Sequence, residues 1–334
     1  MGRRRWWTLA LAVALAAILA PADPVSAVPV AKGTYANPIV AMDFPDPFVL
    51  RDAGTYYAYA TNANGPNIQT FTSTDLRTWV LHRDALPSLP AWAVPGRTWA
   101  PSVVKTANQY VLYYTARHRT GNLPCIGRAV GRSPVGPFLH PVAEPLVCQP
   151  TRGGSIDPSP FVDAFGRPWL LWKSEGIWGR EPTRIWSRPL SLDGVRFEGT
   201  ATQLVERDLA WEGEIIENPS MVRARGAHFL FYSGGRWQDS SYGIGFAVCD
   251  GPAGPCRKAP HKWIGSTGDV AGPGGQEFFR GPDGSLWMSY HAWDASRIGY
   301  PNGGRRSLRV DRIWFGHRDG NPRLLGPTTG PVQY

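Results

Sequence analysis

The sequence predicts an all-β protein, a single five-bladed β-propeller, on three observations. The first is a phrase that recurs. A residue before proline, a short apolar strand, a turn and an aromatic strand appear as FPDPFVLRDAGTYYAYAT from Phe44. The phrase returns as WAPSVVKTANQYVLYYTAR from Trp99, IDPSPFVDAFGRPWLLWKS from Ile156 and IENPSMVRARGAHFLFYSG from Ile216. A degenerate fifth copy, GGQEFFRGPDGSLWMSYHA, starts at Gly274. The second observation is the period. The anchors Asp46, Ala100, Asp157 and Glu217 lie roughly 55 to 60 residues apart, the length of one blade of about four short strands. The third is composition: 38 Gly, 32 Pro and 15 Trp among 334 residues fit many strands joined by turns. No stretch after the N-terminal leader sustains the 3.6-residue period of a core helix.

The chain in order supports this division. Arg3 to Arg5 form a positive region, Leu9 to Leu19 an apolar run, and Val25-Ser26-Ala27 a small-residue cleavage site. Residues 1–27 therefore read as a secretory signal peptide, of the general or the twin-arginine kind, with the apolar run shorter than a membrane span. The propeller is expected over residues 34–326. Blade one runs from about Tyr35 to Leu86, with Asp75 capping the turn before Trp79. Blade two opens at Trp99. Blade three opens with GGSIDPSPF, and its second strand, PWLLWKS, is apolar without alternation, as suits a strand covered on both faces. Blade four opens near Trp211 with WEGEIIENPSM, and blade five comprises GPGGQEFF, SLWMSYHAWD and RRSLRVDRIWF.

Four cysteines fit an oxidising compartment, and the pairing expected is Cys125 with Cys148 and Cys249 with Cys256, the latter flanking the loop DGPAGP. No C-x-x-C spacing supports zinc. The net charge of +9 is carried almost wholly by dispersed arginines without a nucleic-acid motif, so it reads as a solvated surface. Nucleic acid and membrane are not expected partners, and a monomer is expected.

In a propeller the innermost strand of each blade lines a central channel, so equivalent positions converge at one mouth. Asp46, Asp157 and Glu217 hold nearly the same position in their copies, which predicts three carboxylates around one cavity. Glu212 and Glu214 compete with Glu217, and Asp43 with Asp46, but lie further from the register. Asp163 and Asp283 fall in hairpin turns. Two carboxylates facing across a cavity are what glycosidic cleavage needs: one gives a proton to the leaving oxygen, the other activates water. A third adjusts the acidity of the first. Trp99, at the blade-two position, is the candidate platform for a sugar ring. His291 is either a core histidine or a channel residue that holds a water or a metal. Arg306 either meets a substrate hydroxyl or pairs with an acid.

DFPDPFVL, WAPSV, SIDPSPF, IENPSM and the late Tyr290-His291 resemble the blade-opening motifs of glycoside hydrolase family 43, from about Tyr35 to Leu325. The resemblance implies an inverting enzyme on α-L-arabinofuranosides or β-D-xylosides. It makes Asp46 the general base, Glu217 the general acid and Asp157 the residue that orients the acid and tunes its pKa. His291 would match a channel histidine that helps hold calcium through waters, an ion the chemistry itself does not require. The pattern departs at Asn218, where the family usually has glycine, and at Ser102. The arabinan-directed branch is the nearer likeness. The expected protein is a secreted exo-acting α-1,5-L-arabinofuranosidase on arabinan or other plant cell-wall polysaccharide, with endo-arabinanase or β-xylosidase as alternatives. A sucrose- or fructan-cleaving propeller would need Asn-Asp-Pro-Asn in place of Pro45-Asp46-Pro47-Phe48. A propeller that only binds carbohydrate is disfavoured by the presence of all three acids.

Overall fold

The computed structural model describes residue 2 and residues 33–334; the leader lies outside the described residues. The chain from Lys32 to Tyr334 forms one compact unit. It is a five-bladed β-propeller with no α-helix among the described residues.

Blade one is built from β2 (Phe48–Asp52), β3 (Thr55–Ala60), β4 (Gln69–Ser73) and β5 (Val80–Leu81). Blade two has three strands, β6 (Ala93–Lys105), β7 (Tyr110–His118) and β8 (Pro124–Gly131); single bridges from β8 to Leu139 and Val147 stand where a fourth strand would run. Blade three holds β9 (Ser155–Val162), β10 (Pro168–Ser174), β11 (Arg184–Pro189) and β12 (Thr202–Glu206). Blade four holds β13 (Ile216–Ala224), β14 (Ala227–Gly234), β15 (Gly243–Cys249) and β16 (Cys256–Lys258). Blade five holds β17 (Val270–Arg280), β18 (Leu286–Asp294), β19 (Ser307–Phe315) and β20 (Pro322–Leu324). All pairings within blades are antiparallel, and both expected disulfides are present.

Each seam between neighbouring blades has its own apolar core, and the second strand of a blade serves two of them. In β14, Leu230 and Tyr232 pack toward blade three while Phe229 and Phe231 pack toward blade five. In β10, Leu170 and Trp172 face blade two and Leu171 faces blade four. A strand sandwiched in this way buries both faces, which is why PWLLWKS shows no alternation.

Tyr35 does not begin blade one. It belongs to β1 (Thr34–Ala36), which pairs with β21 (Pro331–Gln333) and so ties the two ends of the described chain together. Beside this clasp lies the fully buried carboxylate of Asp311. The hydroxyls of Tyr35 (3.0 Å), Tyr290 (2.7 Å) and Thr328 (2.7 Å) all donate to it, as does the Asn37 amide at 3.3 Å. Asp311 thus joins the first strand, blade five and the C-terminal segment in one network. Asp311→Ala orphans these donors, each costing about 1–3 kcal/mol when buried. We expect a thermal midpoint lower by roughly 5 °C or more, read by tryptophan fluorescence. A midpoint within a degree of wild type would show that this network does not hold the ring closed.

Candidate active site

The recurring X-Pro phrase acquires a geometry at the channel mouth. Each inner strand breaks its pairing in a bulge of two residues against one; in blades one to four the second bulge residue is a proline, which has no N–H to give a ladder, and in blade five it is Gln276. Trp99 pairs with Thr115 and Ser102 with Tyr113, leaving Ala100-Pro101 opposite a single residue. The same skip spares Asp157-Pro158, Asn218-Pro219 and Gly275-Gln276. In blade one, Thr61 N–H donates to Pro45 and Phe48 pairs with Tyr59, so Asp46-Pro47 is skipped likewise.

The first bulge residue is left-handed in every blade: Asp46 (φ 52°), Ala100 (44°), Asp157 (60°), Asn218 (47°) and Gly275 (63°). Asn is among the few non-glycine residues that tolerate this region, which explains how it replaces the family's usual glycine at 218. Only glycine fits at 275, since a Cβ there would lie 2.6 Å from His291 Nδ1. These five residues are the true register. Glu217 is the last paired residue before its bulge, partner of Ser233, and corresponds to Trp99 rather than to Asp46 and Asp157. The expectation that the three acids share one blade position is corrected by one residue, because Asn218 occupies the bulge.

Four of the five bulge N–H groups are caught by the second strand of the preceding blade. Asp46 donates to His291 Nδ1 (3.0 Å), Ala100 to Thr61 Oγ1 (2.9 Å), Asp157 to Thr115 Oγ1 (3.0 Å) and Gly275 to Ser233 Oγ (2.9 Å). The equivalent residue of blade three is Lys173, which has no lone pair to offer. Asn218 N–H turns instead to Asp157 Oδ2 at 2.9 Å.

The two outer acids are dressed differently. Asp46 Oδ2 accepts the Thr61 hydroxyl at 2.6 Å, and the Thr61 proton must point there because its oxygen already accepts Ala100 N–H. Asp46 Oδ1 faces His291 Nδ1 at 3.7 Å and the Arg306 guanidinium at 3.9 Å, beyond hydrogen-bond reach, so it keeps open lone pairs. Glu217 is engaged at both oxygens: Tyr242 donates to Oε1 at 2.7 Å and Lys173 Nζ lies 3.0 Å from Oε2. Tyr242 has a second acceptor, Asn218 Oδ1, at 2.8 Å. It can give its single proton to Asn218 and accept one from Glu217, so the site accommodates either protonation state of that acid. Burial, then the Glu217 and Asp46 charges, push the Asp157 carboxyl well above the usual range. Burial opposes the Lys173 charge, but Glu175, Glu217 and Asp157 outweigh it and hold the ammonium.

Arg306 is buried, stacked over Trp237 at 4.5 Å, and faces Asp46. Trp99 is half-buried at the mouth, with the Arg117 guanidinium 5.5 Å from its ring centre. His291 is fully buried, and its Nδ1 is committed as an acceptor; the ring is neutral, with its proton on Nε2. An imidazole in this tautomer offers a metal no lone pair, and no group of three His, Cys, Asp or Glu side chains is placed to hold an ion among the described residues. The buried Nε2–H has no partner among the described residues and is free to donate to a water, so His291 fits the water-mediated role expected beside calcium, while its Nδ1 anchors the backbone of Asp46.

Of the competing acids, Glu212 is fully buried and accepts from Asp208 N, Leu209 N, Tyr232 and Lys258, a structural role. Asp43 accepts from Arg306 N and Tyr300. Asp163 and Asp75 cap their turns. Sequence reading missed Thr61, Lys173 and Tyr242. The first two stand at the second-strand position that His291 holds in blade five, a register only visible once the bulges are placed. Tyr242 is outside the repeated phrase. Glu277 was also passed over: it lines the channel beside the bulge residues, and burial pushes its carboxyl up to about 8. That channel is a cavity of ≈20 Å³, room for about one water.

Burial, and then Arg306, hold His291 down at about 3. A depressed histidine contributes stability that is present above its unfolded pKa of ~6.5 and lost as pH falls toward 3. His291→Gln should therefore flatten the loss of unfolding free energy between pH 6.5 and 4 by up to ~1.4 kcal/mol per pH unit. Urea denaturation across that range checks this, and an unchanged slope would contradict a buried neutral ring.

The family model described as glycosyl hydrolases family 43 matches residues 35–322. A β-D-galactofuranosidase of Aspergillus niger is 29% identical over 300 residues, 84% of this chain and 82% of the relative. An extracellular exo-α-(1→5)-L-arabinofuranosidase of Cellvibrio japonicus is 24% identical over 76% of this chain and 80% of its own length. A solved thermostable family-43 glycoside hydrolase superposes with a TM-score of 0.80 at 28% identity, covering 89% of this chain and 98% of that one. The family model spans all five blades and so takes in the three carboxylates at the mouth; this chain belongs to glycosyl hydrolase family 43 and is a glycoside hydrolase.

Proposed function

We propose that the protein is a secreted, inverting exo-α-L-arabinofuranosidase acting on arabinan or other arabinose-bearing polysaccharides. The observation that carries the mechanism is the unequal dressing of the two outer acids. Asp46 is the base: its free Oδ1 draws a proton from a water, while the Thr61 hydroxyl holds the carboxylate in place and the Arg306 charge faces it. That water attacks the anomeric carbon as the glycosidic oxygen departs. Glu217 is the acid and gives that oxygen its proton, with Tyr242 swinging its own proton between Asn218 and Glu217 as the charge changes. Asp157, accepting Asn218 N–H, fixes the backbone beside the acid. Trp99 offers a ring face to the sugar. Family members need no cofactor for this chemistry.

The arabinofuranoside reading is supported by the motif likeness and by relatives such as the Cellvibrio japonicus exo-enzyme. Secretion is supported by the leader pattern, two disulfides and relatives named as extracellular. The Aspergillus niger relative favours a second reading, a β-D-galactofuranosidase. β-D-Galactofuranose and α-L-arabinofuranose share ring configuration and differ in the length of the exocyclic arm, so the same acids serve both.

Hydrolysis of aryl α-L-arabinofuranoside, β-D-galactofuranoside and β-D-xyloside, beside linear arabinan, tests the glycone; arabinose alone as product means exo action and a ladder means endo. NMR of the first-formed sugar should show the inverted anomer, and the retained anomer would sink the single-displacement mechanism. Asp46→Asn should lower kcat on all substrates by ~10²–10⁴. Glu217→Gln should do so on oligosaccharides but far less on aryl glycosides, whose leaving group needs no proton. Equal losses on both would remove Glu217 as the acid. Tyr242→Phe should follow the Glu217 pattern more weakly, roughly tenfold on oligosaccharides.

A further inference from the structure

Beside the catalytic mouth, between the blade-three loop after β10 and the start of blade four, lies a recess of ≈680 Å³. This is within the ~300–1,000 Å³ typical of small-ligand sites, and far larger than the water-sized channel. It is one side chain from the acid. Glu175, on its wall, binds Lys173 Nζ at 2.6 Å, and the same ammonium contacts Glu217 at 3.0 Å. Ile215, two residues before Glu217, is also part of the lining.

The loop that forms the outer wall is built rather than loose. Ile177 and Glu181 exchange backbone hydrogen bonds of 2.9 and 2.8 Å, and Glu181 is held by Arg152 and Arg184. This loop holds Trp178 with 79% of its surface in solvent. An indole kept exposed on an ordered hairpin at the edge of a polar recess is suited to cover one face of a flat, partly apolar ligand. Across from it, Arg207 is steadied by donating to Gly213 O at 3.0 Å, and Glu214 completes that side. The lining carries Arg180 and Arg207 against Glu175, Glu181 and Glu214, with Glu175 already paired to Lys173 and Glu181 to Arg152 and Arg184, so neither sign dominates it. Mixed charged donors and acceptors around an aromatic face match a neutral polyhydroxylated ring.

We propose that this recess is the leaving-group subsite. It takes the neutral glycosyl residue on the far side of the cleaved bond, with Trp178 as its stacking platform and Arg207 and Glu214 as partners for its hydroxyls. The assignment rests on Glu217 being the acid, since the departing oxygen and the sugar attached to it lie on the acid's side of the bond. It makes Trp178 a determinant of preference for oligosaccharide over simple glycosides.

The test compares kcat/KM for a trisaccharide with that for the methyl glycoside of the same glycone, which needs the same proton but has no sugar to stack. The glycone used is whichever the wild type cleaves, so a wrong glycone and a wrong subsite give different results. Trp178→Ala should lower the trisaccharide-to-methyl ratio about tenfold, and Trp178→Phe should restore most of it. An unchanged ratio, whether both rates hold or both fall together, overturns the subsite and leaves the arabinofuranoside reading standing. A wild type active only on another glycone overturns that reading alone. A wild type inactive on every glycone overturns both.

Discussion

The whole mouth depends on one backbone constraint: each inner strand makes a left-handed kink at its bulge. For the four residues that are not glycine this costs on the order of 1–3 kcal/mol each. The kink persists because the neighbouring blade binds the N–H it exposes, at His291, Thr61, Thr115 and Ser233. A bulge swings one side chain out of the sheet alternation and aims it at the channel. The backbone cost is similar at each position, while the side chain is free to vary: Asp, Ala, Asp, Asn and Gly. A ring of equal scaffolds thereby carries unequal chemistry.

The inequality is greatest at the seam of blades three and four. Where other blades supply an acceptor, blade three supplies Lys173. Two consequences follow from that single change. Asn218 N–H must find another acceptor and takes Asp157, which couples the most buried of the three mouth acids to the backbone beside Glu217. The lysine itself has charge to neutralise in a buried place, and it recruits Glu217 and Glu175. The surroundings of the proposed acid are therefore a by-product of a missing hydroxyl in the ring.

The other outer acid is tied to this one through two stacked rings. Tyr242 and His291 lie nearly parallel, 5° apart in plane with centres at 5.9 Å. Tyr242 donates to Glu217, and His291 Nδ1 accepts Asp46 N–H. Gly275 sits against the imidazole with no room for a Cβ. Both acids thus lean on one aromatic pair, and the clasp through Asp311 and the five seam cores keep that pair from shifting.

The propeller and its blade count were legible because a repeat of about 57 residues is a property of the chain, and X-Pro marks where the ladder breaks in four of the five blades. Asp46 and Asp157 were legible for the same reason. Glu217 was found although its register was misjudged by one residue, since proline spacing does not say which neighbour turns left-handed. Thr61, Lys173 and Tyr242 were not legible: a threonine, a lysine and a tyrosine on β-strands or loops have no local signal that separates them from packing residues. The tautomer of His291 was not legible for a related reason, because only the tertiary hydrogen bond from Asp46 N–H decides which ring nitrogen carries the proton. Sequence by itself determined the repeat, the fold and the kinds of acid at the mouth, since these follow from period and backbone chemistry. Tertiary structure alone decided which acid is free and which is clamped, because that depends on side chains of the preceding blade meeting across seams far apart in the chain.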